Sequence, residues 1–498
     1  MSSIKQLAGQ TMWYGLSSIA ARFINYLLTP YLTYTLADRS DYGKIGLIYA
    51  AIPILNIIFT YGFETAYFRF SAKAENKKTI YSTASISLFL STLFFAVVLW
   101  FNQEWIGNAT GLIDYPMIIQ MVIVIIALDA LSTIPFARLR EQGRPRKYAF
   151  IKIAGILINV FFTWFFISYC PQQLKNDSQS WIGNIYDPSL NAVVYVVLAN
   201  VIQSAFTLLL LWHEISEINF KFDAKLWKEM MIYSLPLVIA GMGGMINETF
   251  DRLMLRWWLP GSVEYREDQI GVYNACYKLS ILITLFIQAF RMGAEPFFFK
   301  QAEGKDPQRV YARVMKFFVI AVCIMFLAVA LFIPVWRWFI APPYWEGLVI
   351  VPILLFANIF LGIYYNLSIW YKLTNKTMAG AYITIIGAVV TIIINYLFIP
   401  SYNYIACAWS HFACYGSMML ISFIWGQKNY RIPYASKKLI AYMVIAAGLY
   451  FASRGFWYIT DNTYYQLAIS VVLIISFILF VGSIEKKELQ RLRLLKQS

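Results

Sequence analysis

About fourteen windows of roughly twenty apolar residues follow one another with short breaks, and no other feature of the chain restricts its fold as strongly. Hydrocarbon offers no water to backbone N–H and C=O groups, so windows of this length must close their hydrogen bonds internally as helices. The spans are expected near 11–36, 44–67, 80–101, 116–137, 148–170, 191–212, 231–258, 271–299, 314–339, 348–371, 378–399, 405–426, 439–458 and 465–484. The first is too long and too polar for a cleaved signal peptide and reads as a retained helix. Interior prolines Pro53, Pro236 and Pro334 are expected at kinks rather than at helix ends. The fold class is therefore all-α integral membrane, with about fourteen transmembrane helices.

Composition bears on what such a bundle does. Only 13% of the 498 residues are charged, against about 25% in soluble proteins, and 60% are hydrophobic. An excess of 41 Lys and Arg over 26 Asp and Glu would point to nucleic acid in a soluble chain. Here the loops explain it, and no nucleic acid is expected. Alternate loops hold about 28 Lys and Arg on the side of both termini and about three (Arg39, Lys175, Arg266) on the other, which places both termini in the cytoplasm. The tail Lys486–Lys496 interleaves leucine with basic residues and reads as an ordinary positive-inside tail beside membrane lipids.

No loop exceeds about twenty residues, too few for a catalytic domain. Cys170, Cys276, Cys323, Cys407 and Cys414 follow no metal or disulfide spacing, and two histidines, His213 and His411, are too scattered for a metal or triad site. Phosphate-cradling glycine loops and nucleophile constellations are absent from the sequence. The chain is expected to move something rather than transform it, as a non-enzyme without metal or cofactor.

Two helical stripes carry the candidate site. Ser18, Arg22, Asn25 and Thr29 step by four, three and four residues in the first span, while Tyr277, Thr284, Gln288, Arg291 and Glu295 step by seven, four, three and four in the eighth. At 100° per residue each set holds to one face, and each brings an arginine inward. The seventh span adds Glu248, Asp251, Arg252 and Arg256. Charges at membrane depth cost several kcal/mol, roughly 2.5 to 3.5 each on insertion scales, so they face protein or a wet cavity. Glu248 with Arg252 and Arg291 with Glu295 stand at i,i+4, and mutual pairing competes with ligand contact as their explanation. Gly241, Gly243 and Gly244, one to two turns after Pro236, suggest a bend in the seventh span, with close helix packing as the competing account.

A weak repeat divides the chain. Tyr14-Gly15 and Asp41-Tyr42-Gly43-Lys44-Ile45-Gly46 are echoed by Tyr233-Ser234 and Asp268-Gln269-Ile270-Gly271-Val272-Tyr273. Six helices and six more, both sets starting on the same side, imply two parallel lobes. The expected division is 1–220, 221–438 and a pair of C-terminal helices with a tail at 439–498.

Tyr233-Ser234-Leu235-Pro236, Asp251-Arg252, Gly271-Val272-Tyr273, Tyr277-Lys278 and Gln288-Ala289-Phe290 followed by Pro296-Phe297 resemble the central signature of the polysaccharide transport (O-antigen flippase) family, within the multidrug/oligosaccharidyl-lipid/polysaccharide exporter superfamily. Asp41-Tyr42-Gly43, the basic loop Arg138–Tyr148 and Ile399-Pro400 extend the likeness over most of the chain. Where members often have a Pro-x-x-Gly-x-x-Gly-Ala turn, this chain reads Pro400-Ser401-Tyr402-Asn403-Tyr404-Ile405-Ala406-Cys407, which puts close packing there in question.

The resemblance implies a flippase in the bacterial cytoplasmic membrane, carrying undecaprenyl-pyrophosphate-linked oligosaccharide outward by alternating access for O-antigen, capsule or exopolysaccharide synthesis. Arg22, Asn25, Arg252, Gln288 and Arg291 are the expected contacts for pyrophosphate and glycan. Glu248, Asp251 and Glu295 are the candidates for balancing charge or for coupling to H+ or Na+. A lipid II-type flippase and a multidrug or cation antiporter are the alternatives. A glycan polymerase or ligase fits less well, because it needs a large outward loop.

Overall fold

Long apolar runs with few β-breaking or helix-breaking residues leave the backbone one way to satisfy itself in hydrocarbon, and the chain takes it throughout. The computed structural model describes residues 2–72, 76–177, 180–302, 304, 306–457, 462–486, 488 and 490, with side chains for all of these except 2–14, 16–18 and 296. The membrane helices are α1 (Ser2–Thr35), α2 (Arg39–Thr60), α3 (Lys77–Phe101), α4 (Pro116–Glu141), α5 (Pro145–Asn176), α6 (Ala192–Leu210), α7 (Ala224–Glu248), α8 (Val263–Gln301), α9 (Pro307–Ala330), α10 (Pro342–Leu373), α11 (Met378–Tyr402), α12 (Tyr404–Asn429), α13 (Ser436–Trp457) and α14 (Thr463–Ile484). Among the described residues, 13 of these, α2 to α14, are long and apolar enough to cross a membrane. With α1 the protein is an all-α membrane bundle of about fourteen spans. Ser18 and most of the basic tail lie outside the described side chains.

Several helix boundaries differ from expectation, each for a local reason. Tyr61 and Gly62 take left-handed backbone (φ 33° and 73°), which ends α2 and turns the chain into a separate short helix, Phe63–Ser71. A side chain at Gly62 would be strained at that φ. Pro334 is a correction: α9 ends at Ala330, and the proline sits in the first turn of a new short helix, Ile333–Trp336, where its missing N–H is harmless. α7 runs unbroken through Pro236 and its glycines, and the interruption comes later, at Thr249 and Phe250, before the helix Asp251–Trp258. Side chains at Gly241 and Gly243 would meet their neighbours at ordinary distances of 3.4 Å, so these glycines do not mark tight packing.

The turn after α11 is resolved by asparagine. Asn403 stands at the first glycine position of the family turn and adopts the left-handed conformation itself (φ 53°). Asparagine tolerates that region better than other side chains. Its Oδ1 accepts the N–H of Tyr404 at 2.6 Å, and Ala406 and Cys407 behind it are buried.

Two compact units are present, residues 1–275 with 384–407, and residues 276–383 with 408–498. The lobes 1–220 and 221–438 are a division by sequence repeat, and we propose them on that ground alone. In the first unit a hydrophobic core of Phe63, Tyr67, Tyr81 and Leu88 packs with Met230 of α7. The basic loop of the family signature is clamped there: Lys147 Nζ lies 2.7 Å from Glu214, a fully buried carboxylate, and Arg138 Nη1 lies 3.1 Å from Glu141. In the second unit Ala357, Tyr364, Ile383, Cys414 and Met418 form the core of α10, α11 and α12.

The repeated motifs meet inside the first unit. A methyl group at Gly43 would lie 1.9 Å from the Glu267 carbonyl oxygen, and one at Gly271 would lie 2.3 Å from that of Arg39. The starts of α2 and α8 therefore cross backbone to backbone, glycine against glycine. Around the contact Lys44 Nζ lies 3.0 Å from Asp41 and 3.8 Å from Glu267, and Arg39 lies 2.9 Å from Asp268. Asn191 Nδ2 donates to Asp41 at 2.8 Å.

Candidate functional site

A polar cavity of about 620 Å³ opens among α1, α2, α4, α5 and α6 in the first unit. That lies within the 300 to 1,000 Å³ usual for small-molecule sites. Helical spacing supplies its walls. Arg22 and Asn25, three residues apart on α1, share one wall, while Asp129 and Thr133 on α4 and Gln203 and Thr207 on α6, each four apart, project from others. Tyr148 and Lys152 on α5 repeat the pattern. The left-handed break at Tyr61 and Gly62 brings Thr60, Glu64 and Thr65 to the rim.

The charges in this cavity are loosely held. Among the described residues Arg22 has no carboxylate within salt-bridge distance. Asp129 accepts a hydrogen bond from Ser204 Oγ at 2.8 Å. Lys152 rests its ammonium 4.2 Å from the centroid of the Phe136 ring. Asn56 Oδ1, in the same wall, is buried without a hydrogen-bond partner among the described residues. Glu64 at the rim is the exception, paired with Arg140 at 2.5 Å.

Asp251 and Arg252 lie elsewhere in the first unit and are almost wholly buried. Arg252 Nη1 lies 2.7 Å from Asp251 Oδ1 and donates to the Glu248 carbonyl at 3.1 Å. Its guanidinium lies over the Tyr273 ring, whose hydroxyl donates to the other Asp251 oxygen. Arg252 thus takes the Glu248 backbone rather than waiting on an i,i+4 carboxylate, and its nearest acid is its own neighbour in sequence. Glu248 itself is exposed.

The second unit holds the other stripe. Arg291 Nε lies 3.8 Å from Glu295, the i,i+4 contact anticipated from spacing, and the guanidinium lies 4.8 Å from the Tyr365 ring centroid. Lys372 Nζ approaches the other Glu295 oxygen at 2.6 Å. Together with Asn366 and Ser368 these groups line a small cavity of about 20 Å³, enough for one water. Gln288, one turn before Arg291, is partly buried. Arg291 is exposed and Glu295 partly so.

Asp129, Lys152 and Lys372 were not singled out by the stripes. The first two carried a usable signal, an ionisable residue inside an apolar window, the criterion that drew attention to Arg22. Lys372 gave none, because it follows its span and reads as a loop charge.

Residues 7–302 match the family described as polysaccharide biosynthesis protein. No curated protein sequence matches the chain. Among solved structures, the lipid II flippase MurJ in an inward closed conformation is similar at a TM-score of 0.67 with 14% identity, over 96% of this chain and 99% of that one. An inward-facing multidrug resistance MATE family transporter of the MOP superfamily is similar at 0.60 with 12% identity, over 87% and 95%. Its outward-facing counterpart stands at 0.55 with 13% identity, over 88% and 96%. At these identities the likeness is one of fold.

Proposed function

The chain belongs to the polysaccharide biosynthesis protein family, and from that premise we propose that it is a flippase for undecaprenyl-pyrophosphate-linked oligosaccharide rather than an enzyme. The observation that carries the proposal is the polar cavity of about 620 Å³ inside a membrane bundle, lined by Arg22, Asn25 and hydroxyl and amide side chains. A diphosphate needs cations where water is scarce, and sugars need hydroxyl and amide partners. The polyprenyl tail needs neither and can remain in lipid. A guanidinium meets phosphate oxygens in a bidentate fork, and Arg22 is not committed to a carboxylate among the described residues. Arg291, exposed beside Glu295 in the second unit, is proposed for the same ligand.

The loop charges support a bacterial cytoplasmic membrane with both termini inside, and transport by alternating access. Asp251 and Glu295 remain the candidates for an H+ or Na+ that drives the return step, with exposed Glu248 a third. A lipid II-type flippase is the second reading, favoured by the MurJ-like fold and by a cavity that suits any prenyl diphosphate. A multidrug antiporter would favour an acidic, cation-binding cavity, which uncommitted Arg22 and Lys152 do not provide.

Complementation of a strain lacking the protein tests this. Arg22→Ala and Arg291→Ala should each reduce surface glycan at least ten-fold while the protein reaches the membrane at normal level, and lysine at either position should restore part of it. Normal surface glycan with alanine at both positions would refute the proposal.

A further inference from the structure

Lys152 lies about two turns into α5, on the cavity wall, and its surroundings do not neutralise it. The ammonium sits on the Phe136 ring, and among the described residues no carboxylate oxygen lies within 4.0 Å of it. A lone ammonium at membrane depth is costly, and an aromatic face offsets only part of that cost. Asp129, also in the cavity wall, acts on Lys152 through its field without closing an ion pair. Its carboxylate is engaged instead by Ser204 Oγ at 2.8 Å, a hydrogen bond across α4 and α6 that keeps it on its own side of the cavity.

A lysine held this way has a weak internal counter-charge and an open face toward a space large enough for a head group. Paired cations elsewhere in the unit, such as Lys44, have carboxylates at contact distance and no such space. We infer that Lys152 seats phosphoryl oxygens of the cargo, and that Asp129 is the counter-charge the ammonium leaves when they arrive. This rests on the flippase reading and adds a residue and a competition to it. Lys152 acts as a compact point charge beside the fork of Arg22. Asp129 opposes the ligand twice, by repelling its charge and by attracting Lys152, so its role is that of a positioning residue.

The competition gives the test a sign that a structural role does not share. Inorganic pyrophosphate would be titrated into the purified full-length protein by calorimetry at fixed ionic strength, with thermal unfolding as the check on folding. Lys152→Gln should weaken binding about ten-fold, Lys152→Arg should stay within about three-fold of the unsubstituted protein, and Asp129→Asn should tighten binding several-fold. Unchanged binding in Lys152→Gln, or weaker binding in Asp129→Asn, would overturn the inference. So would an unsubstituted protein that binds no pyrophosphate at millimolar concentration. If Lys152→Gln does not fold, the Asp129→Asn result decides alone. Loss of surface glycan in Arg22→Ala, measured separately in cells, would leave the flippase reading standing in each of these cases.

Discussion

At the crossing of α2 and α8, Arg39, Asp41, Lys44, Glu267 and Asp268 each lie within 4 Å of an opposite charge, whereas in the cavity of the same unit Arg22 and Lys152 have no such partner among the described residues. Both regions spend ionisable residues in a chain that has few. At the crossing they surround a backbone contact too close for any side chain, and Asp41, Lys44 and Glu267 are at most 6% exposed. In the cavity they border open space. The difference teaches how to read charge in this bundle: a buried pair with matched partners holds helices together, whereas the cations bordering the cavity are the ones we propose for ligand contact.

Breaking the crossing should have the largest effect. Gly43→Ala drives a methyl group into the Glu267 carbonyl, and because that obstacle is backbone it cannot rotate away. The expected loss exceeds roughly 4 kcal/mol, seen as little or no monodisperse protein on size exclusion from detergent extracts. Well-folded Gly43→Ala would show that the helices can part at this point at low cost.

Removing one charge there comes next. Lys44→Ala leaves Asp41 and Glu267 buried beside each other without their shared cation, which should destabilise the protein by roughly 3 to 5 kcal/mol. A lower thermal midpoint with unchanged transport per folded molecule is the expected outcome. A normal midpoint would mean that the pair is not structural.

A third cluster, in the second unit, sharpens the comparison at its smaller end. Glu485 lies just past α14 and accepts from Lys316 at 2.6 Å, Tyr442 at 2.7 Å and Lys438 at 3.0 Å. Burial pushes its carboxyl up, but these hydrogen bonds and the Lys316 charge outweigh it and hold the group at about 2, below its ordinary 4.5. A depressed carboxyl contributes its stability above the unfolded value and loses it as pH falls toward the folded one. The contribution, at most about 3 kcal/mol, should therefore be present at neutral pH and disappear between pH 4.5 and 2. Thermal midpoints of the unsubstituted protein and Glu485→Gln should differ at pH 7 and converge across that window. Parallel curves would show that Glu485 does not carry the effect.

The spans were legible because a window of twenty apolar residues has one solution in lipid, and the stripe of Arg22 and Asn25 because helical periodicity puts residues three or four apart on one wall. The turn at Asn403 was half legible: the missing glycine was visible in the sequence, but not that asparagine would take the left-handed conformation in its place. Breaks without a punctuating residue were not legible. α7 stops at Thr249 and Phe250, with neither proline nor glycine at the break, where Thr249 Oγ1 lies 3.3 Å from the Met245 carbonyl oxygen of its own helix and 3.4 Å from that of Ala50 on α2. The crossing of Gly43 and Gly271 was present in the sequence only as a repeated motif. That the two copies touch is a property of the folded unit, as is the gathering of Asp129 on α4 and Lys152 on α5 around one space.

The most direct test of the central claim is transport per folded molecule in Arg22→Ala beside Lys44→Ala. Both would be reconstituted into liposomes, and movement of a fluorescent short-chain prenyl diphosphate-linked saccharide between leaflets would be normalised to monodisperse protein. Arg22→Ala should keep its thermal midpoint and lose at least ten-fold in rate. Lys44→Ala should lose its midpoint and keep its rate. A normal rate in Arg22→Ala, or a rate lost in Lys44→Ala with its midpoint intact, would contradict the account.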